Sequence, residues 1–213
     1  MLIVKCFAVG SYETNCYIVT DDSTRECAVI DPGAEAATIL DYLEEHHLQC
    51  RFILLTHGHF DHVGAVPELM EETGAVLCMH QKDDGITIGG EYYRFRAPAG
   101  TKFVSEGDVI SVGGLSFTVL ETPGHTPGCV TFLCEDSDGA EGEKTLFTGD
   151  TLFRDSCGRT DFPGSSAEDM LRSLRRLAEL PGDYEVYPGH MDVTSLDRER
   201  RVNPYVAMAM QRI

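Results

Sequence analysis

The run Thr56-His57-Gly58-His59-Phe60-Asp61-His62 follows directly on the apolar segment Phe52-Ile53-Leu54-Leu55, and it constrains this chain more than any other feature. Three imidazoles and a carboxylate fall within six residues at the end of a strand-like stretch. Neutral imidazole nitrogen and carboxylate oxygen are the donors that zinc and iron prefer. Strand geometry sends alternate residues to one face, so an extended backbone points His57 and His59 the same way. A turn after them would swing Asp61 and His62 round. Four such donors exceed what one tetrahedral ion needs beside other ligands, so the spacing suggests two neighbouring ions.

Three more donors stand in matching contexts downstream. His125 lies in Glu121-Thr122-Pro123-Gly124-His125, after the strand-like Leu115–Leu120. Asp150 ends Leu146-Phe147-Thr148-Gly149-Asp150, and His190 ends Tyr187-Pro188-Gly189-His190. Each has a glycine beside it that allows a tight turn. In α/β sheets, ligands bind beyond the carboxyl ends of strands.

The order His-x-His-x-Asp-His, then single His, Asp and His, resembles the metallo-β-lactamase fold hydrolases over nearly the whole chain. Asp31, in Val29-Ile30-Asp31-Pro32-Gly33, matches that family's early aspartate behind the metal ligands. Phe147–Phe153 and the ending Pro188-Gly189-His190…Asn203-Pro204-Tyr205 are similar to the glyoxalase II-like group. The resemblance implies a four-layer αββα sandwich, where pattern alone gives only α/β or α+β. It implies one ion on His57, His59 and His125, a second on Asp61, His62 and His190, and Asp150 bridging both. Asp61 and Asp150 are then the catalytic carboxylates. Two zinc ions are expected, with one or two iron or manganese ions as the alternative. The implied substrate is a small thioester such as S-lactoylglutathione.

Arg154 and Arg159 follow the bridging aspartate and are candidates to grip a substrate carboxylate. Glyoxalase II proteins carry a glutathione-contacting lysine near the position of Arg159. Both arginines also have acidic neighbours, Asp155 and Asp161, with which to pair. The run Cys157-Gly158-Arg159-Thr160-Asp161-Phe162 is similar to the persulfide dioxygenases as well. There, one iron sits on residues corresponding to His57, His125 and Asp150, an open arrangement suited to O₂ chemistry.

With 213 residues the chain suits a single domain, 1–213. Little follows His190, so the expectation is a version without the helical C-terminal domain of typical glyoxalase II. The net charge of −18 repels phosphate backbones, which disfavours a nucleic-acid partner. No run approaches the ~20 apolar residues of a membrane span. Met1-Leu2-Ile3-Val4 carries no basic leader. Eight cysteines without a Cys-x-x-Cys pair read as free thiols of a reducing cytoplasm.

Periodicity predicts strands at Leu2–Val9, Asn15–Thr20, Glu26–Ile30, Phe52–Leu55, Val76–Met79, Val109–Val112, Leu115–Leu120, Val130–Cys134, Lys144–Thr148 and Tyr184–Tyr187. Helices are predicted over Ala34–His47, Val63–Thr73, Ser166–Leu180, Leu196–Val202 and Tyr205–Ile213. Gly85–Gly100 reads as a loop, and Asp136–Glu143 as an acidic turn. His46 and His47 fall in the solvated last turn of the first predicted helix, where they interact with its dipole, and His80 lacks a ligand-type neighbour at metal spacing; none is assigned a part in the site.

Overall fold

The computed structural model describes residues 1–90, 93–136 and 144–211. Strand alternation builds its layers. In β2 (Thr14–Asp21), Cys16 and Ile18 enter one apolar core, while Tyr17 and Val19 enter another. In β3 (Glu26–Ile30), Cys27 and Val29 divide from Ala28 and Ile30 in the same way. A strand buried on both faces reads as a continuous apolar run, which is how these segments look in sequence.

With β1 (Leu2–Val9), β4 (Gln49–Leu54), β5 (Val76–His80) and β6 (Lys102–Val104), they form a six-stranded sheet in chain order. Its first two pairings are antiparallel and its last three parallel. The later strands are β7 (Val109–Val112), β8 (Leu115–Glu121), β9 (Val130–Asp136), β10 (Lys144–Gly149), β11 (Leu152–Phe153), β12 (Ser156–Cys157), β13 (Glu185–Pro188) and β14 (Thr194–Ser195). All but β11 and β12 make the second sheet, in the order β14-β13-β10-β9-β8-β7. β11 and β12 pair as a small hairpin.

The inner core lies between the sheets, where Tyr17, Ile30 and Leu54 meet Phe117, Phe132 and Phe147. Helices α1 (Ala36–Glu45) and α3 (Val66–Thr73) cover the first sheet through Ile39, Val66 and Leu69. Helices α4 (Ala167–Ala178), α5 (Leu196–Val202) and α6 (Pro204–Gln211) cover the second through Met170, Leu174, Leu196 and Val206. The result is the expected helix–sheet–sheet–helix sandwich. Among the described residues no helix is long and apolar enough to cross a membrane. All eight cysteines are free thiols.

The differences from the sequence reading have local causes. The first helix is shorter than Ala34–His47 because Glu35 (φ 58°) and His47 (φ 53°) both take left-handed backbone. Val63–Thr73 is not one helix. A short α2 (Phe60–Val63) precedes α3, and the chain between them packs on the Pro32-Gly33 turn, with Ala65 N–H donating to Pro32 O. A Cβ on Gly64 would lie 2.3 Å from Gly33 O, so only glycine passes there. β6, β11, β12 and β14 are two or three residues long, too short for periodicity to register. Residues 137–143, 212 and 213, which hold most of the acidic turn and the end of the last helix, lie outside the described residues.

Candidate metal centre

Four strand ends converge. β3 runs into Asp31, β4 into the histidine run, β10 into Asp150 and β13 into His190, with β3 and β4 parallel and β10 and β13 parallel. His125 enters from the loop after β8. His57 lies in the loop beyond β4, His59 caps α2, and Asp61 and His62 occupy the first turn of α2. The turn therefore does swing Asp61 and His62 round.

The donor atoms of His57, His59 and His125 lie within 4.8 Å of one another, as do those of Asp61, His62 and His190. His59 Nδ1 and His125 Nε2 are 2.9 Å apart. Asp150 stands between the two groups: its carboxylate is 3.4 Å from His125 Nε2, 3.5 Å from His62 Nε2 and 3.7 Å from His190 Nε2. Asp61 Oδ2 is 3.3 Å from His190 Nε2. All seven predicted donors thus meet in one place.

The hydrogen bonds fix which nitrogens face that place. Asp31 accepts from Thr56 N–H at 2.8 Å, from Thr56 Oγ1–H at 2.6 Å and from His62 Nδ1–H at 3.0 Å. A carboxylate can only accept, so His62 carries its proton on Nδ1. Thr56 Oγ1 uses its proton on Asp31 and accepts from His57 Nδ1 at 3.1 Å. His125 Nδ1–H donates to Arg159 O at 2.9 Å. Each ring thereby turns its Nε2 inward. His57 Nε2, His62 Nε2 and Asp150 Oδ1 are buried without a hydrogen-bond partner. Buried polar atoms are normally satisfied, and three unsatisfied ones at the meeting point of two donor groups fit cation binding. Asp31, His57 and His62 also lie within ligand range of one another. Asp31 is already engaged by Thr56 and the far side of His62, so its place is behind the ligands.

Burial and the neighbouring imidazoles hold His57 well below its usual pKa. Burial and His125 pull His59 down to about 3 against the opposing charge of Asp150. Both rings stay neutral and able to coordinate. Burial also disfavours charge on His62, yet Asp150, Asp31 and Asp61 overcome it and raise its pKa to about 9. Without metal, His62 therefore keeps a proton near neutral pH. That charge contributes to folding below pH 6.5, and the contribution is lost as pH rises through about 9. A cation taking the His62 lone pair must displace the proton. Zinc affinity measured by chelator competition is expected to rise by up to about tenfold per pH unit between pH 6.5 and 8.5. A flat profile would contradict this protonation state.

Several positioning residues escaped sequence reading. Asp83, fully buried, accepts from Gly58 N–H (2.9 Å), Gly128 N–H (2.7 Å) and Thr126 Oγ1–H (2.7 Å), tying the His57–His59 loop to the His125 loop. Burial pushes its pKa up. Asn15 donates to Pro188 O and Met191 O, and the Tyr17 hydroxyl donates to Pro188 O, so the first sheet holds the loop bearing His190. None of these carries a motif. Asn203 donates to Phe153 O and Ser156 O and pins the β11–β12 hairpin beside the site. Gly158 passes so close to Asp150 that a Cβ would lie 1.8 Å from its carbonyl oxygen.

A cavity of about 520 Å³ opens on His59, Asp61, His125, Asp150 and His190. Arg159 lines it but makes a two-pronged ion pair with Asp161 at 2.6 and 2.7 Å. Arg154 pairs with Asp192 at 3.2 Å and is not part of the lining. His80 stays out of the cluster, bonding Glu121 at 3.2 Å, and His46 packs at a tilt against the Tyr42 ring.

The family model described as the metallo-beta-lactamase superfamily matches residues 9–190. The chain is 34% identical to a Haemophilus influenzae protein named hydroxyacylglutathione hydrolase GloC, over 95% of this chain and 97% of that one. Among solved structures it resembles BLEG-1, titled a B3 metallo-beta-lactamase, at TM-score 0.84 and 30% identity, over 96% of this chain and 99% of that one. It resembles TTHA1623 in a di-iron-bound form at TM-score 0.79 and 36% identity, covering 94% and 99%. ETHE1 from Myxococcus xanthus matches at TM-score 0.80 and 30% identity, covering 98% and 90%.

Proposed function

The chain belongs to the metallo-beta-lactamase superfamily, and on that premise we propose that it is a metal-dependent thioester hydrolase. One observation carries the reading. Asp150 lies between two groups of three donors, and His57 Nε2, His62 Nε2 and Asp150 Oδ1 are buried without hydrogen-bond partners. His57, His59 and His125 would hold one cation, Asp61, His62 and His190 a second, and Asp150 would bridge them. Nitrogen and oxygen donors in this mixture suit zinc first and iron or manganese next. Bound there, such ions supply an acidified water and a Lewis acid for an acyl oxygen.

The chain's own groups do the rest. Asp31 and Thr56 hold His62 and His57 in register, and the Arg159 carbonyl holds His125. The cavity opens on the cluster, and an acyl group bound in it would lie against the donors. Water adds to the carbonyl carbon, the carbon–sulfur bond breaks, and the electron pair leaves with sulfur. The products are a carboxylic acid and a thiol. A thiol pKa near about 8.5 lets sulfur depart without a dedicated protein acid, which favours a thioester over an amide. S-lactoylglutathione is the first compound to assay, given the GloC relative.

A second reading, a persulfide dioxygenase with one iron on His57, His125 and Asp150, draws on the Cys157–Phe162 likeness. It leaves Asp61, His62 and His190 without a role, although they converge equally well. Two assays on one preparation of known metal content separate the readings. Thioester cleavage with negligible O₂ uptake on glutathione persulfide is expected. Rapid O₂ uptake without thioester cleavage would overturn the hydrolase.

A further inference from the structure

The lining of the cavity is chemically lopsided. Tyr12, Phe60, Ile88, Phe153, Phe162 and Met191 form most of its wall away from the metal donors. Tyr12 and Met191 are 61% and 58% exposed. Large apolar side chains held open at the mouth of a pocket are the usual signature of a surface that a ligand covers. Tyr12 packs edge-on against Phe60 at 5.3 Å, and Phe60 against Tyr93 at 4.9 Å, so this wall is a supported run of rings. Phe153 meets His190 edge-on, and Phe162 meets His59 and His125, carrying apolar surface up to the donor cluster itself.

Charge points the same way. Arg159 is the one arginine or lysine among the described lining residues. One edge of its guanidinium is held by Asp161 and one face by the Phe162 ring at 4.1 Å. Releasing it to a substrate carboxylate would leave Asp161 unpaired beside that substrate. Glutathione brings two carboxylates, and the chain carries a net charge of −18. A field of that sign slows the approach of anions.

We infer that this cavity selects thioesters with an uncharged aromatic or alkyl substituent over glutathione-linked ones, an inference that rests on the hydrolase reading above. The apolar group lies along Tyr12 and Phe60, and the carbonyl lies against the cluster.

The test uses the zinc-loaded protein and two thioesters of one phenylacetyl group, on uncharged N-acetylcysteamine and on glutathione. The uncharged ester should show at least a tenfold higher kcat/KM. Tyr12→Ala should raise its KM about tenfold with kcat and metal content retained. Because Tyr12 is largely exposed, the substitution should leave the fold intact. Calorimetry with the matching thioethers, which cannot be hydrolysed, reads the cavity apart from turnover, and the uncharged thioether should bind at least tenfold tighter. Equal or better use of the glutathione ester, or an unchanged KM in Tyr12→Ala, would overturn the inference. If neither ester is cleaved while the uncharged thioether still binds tighter, the hydrolase reading falls and the cavity assignment stands.

Discussion

Asp150→Ala is expected to lower turnover by at least about 100-fold and to reduce metal content in the same preparation. Its carboxylate reaches histidines from both donor groups, His125 and His62 at 3.4 and 3.5 Å and His190 at 3.7 Å. Changing an outer partner of a metal ligand already costs roughly 10–100-fold in affinity or activity. A shared carboxylate should cost more. The backbone has no reason to collapse, because the Asp150 side chain faces the cluster rather than the core. Elemental analysis and steady-state kinetics on folded variant protein check this. Full metal content with full rate would end the bridging assignment.

Asp83→Ala is expected to destabilise the protein by about 3 kcal/mol and to weaken one donor group selectively. The substitution strips the acceptor from Gly58 N–H, Gly128 N–H and Thr126 Oγ1–H. An orphaned buried donor costs about 1–3 kcal/mol. Thr126 can still turn to Cys129 Sγ at 3.1 Å, so the two amides dominate. Asp83→Asn keeps the volume and one good acceptor oxygen but sets an NH₂ against an N–H. It should lose roughly half as much. Gly58 sits between His57 and His59, and Thr126 follows His125. Zinc affinity should therefore fall about 10–100-fold at His57, His59 and His125, with Asp61, His62 and His190 spared. Chemical denaturation and zinc titration together separate this from general loosening, which would weaken both groups alike.

What the chain disclosed in advance was local. The seven donors stand out because they cluster just beyond apolar strands, with His59, His125, Asp150 and His190 each directly after a glycine, and the convergence of those strand ends brings them together. The first sheet was readable for a similar reason: β2 and β3 are apolar on two faces and leave the unbroken runs Cys16–Val19 and Cys27–Ile30. What escaped was non-local. Asp83 lies after β5 in a short turn, and only tertiary packing brings it to Gly58 and Gly128. Asn15 reaches the His190 loop across 173 to 176 positions of sequence. Gly64 and Gly158 look like ordinary loop glycines until the backbone crossing beside each is seen. Arg159 is the instructive intermediate. Its place near the site and its pairing with Asp161 were both readable from neighbours in the chain, but the Phe162 ring against its guanidinium plane was not.

The central claim is that His57, His59, Asp61, His62, His125, Asp150 and His190 hold a pair of cations. Zinc titration of metal-stripped protein, followed by calorimetry and elemental analysis, tests it most directly. Saturation at about two ions per chain, falling to about one in His190→Ala, is the predicted result. Saturation at one ion, unchanged by His190→Ala, would contradict the claim.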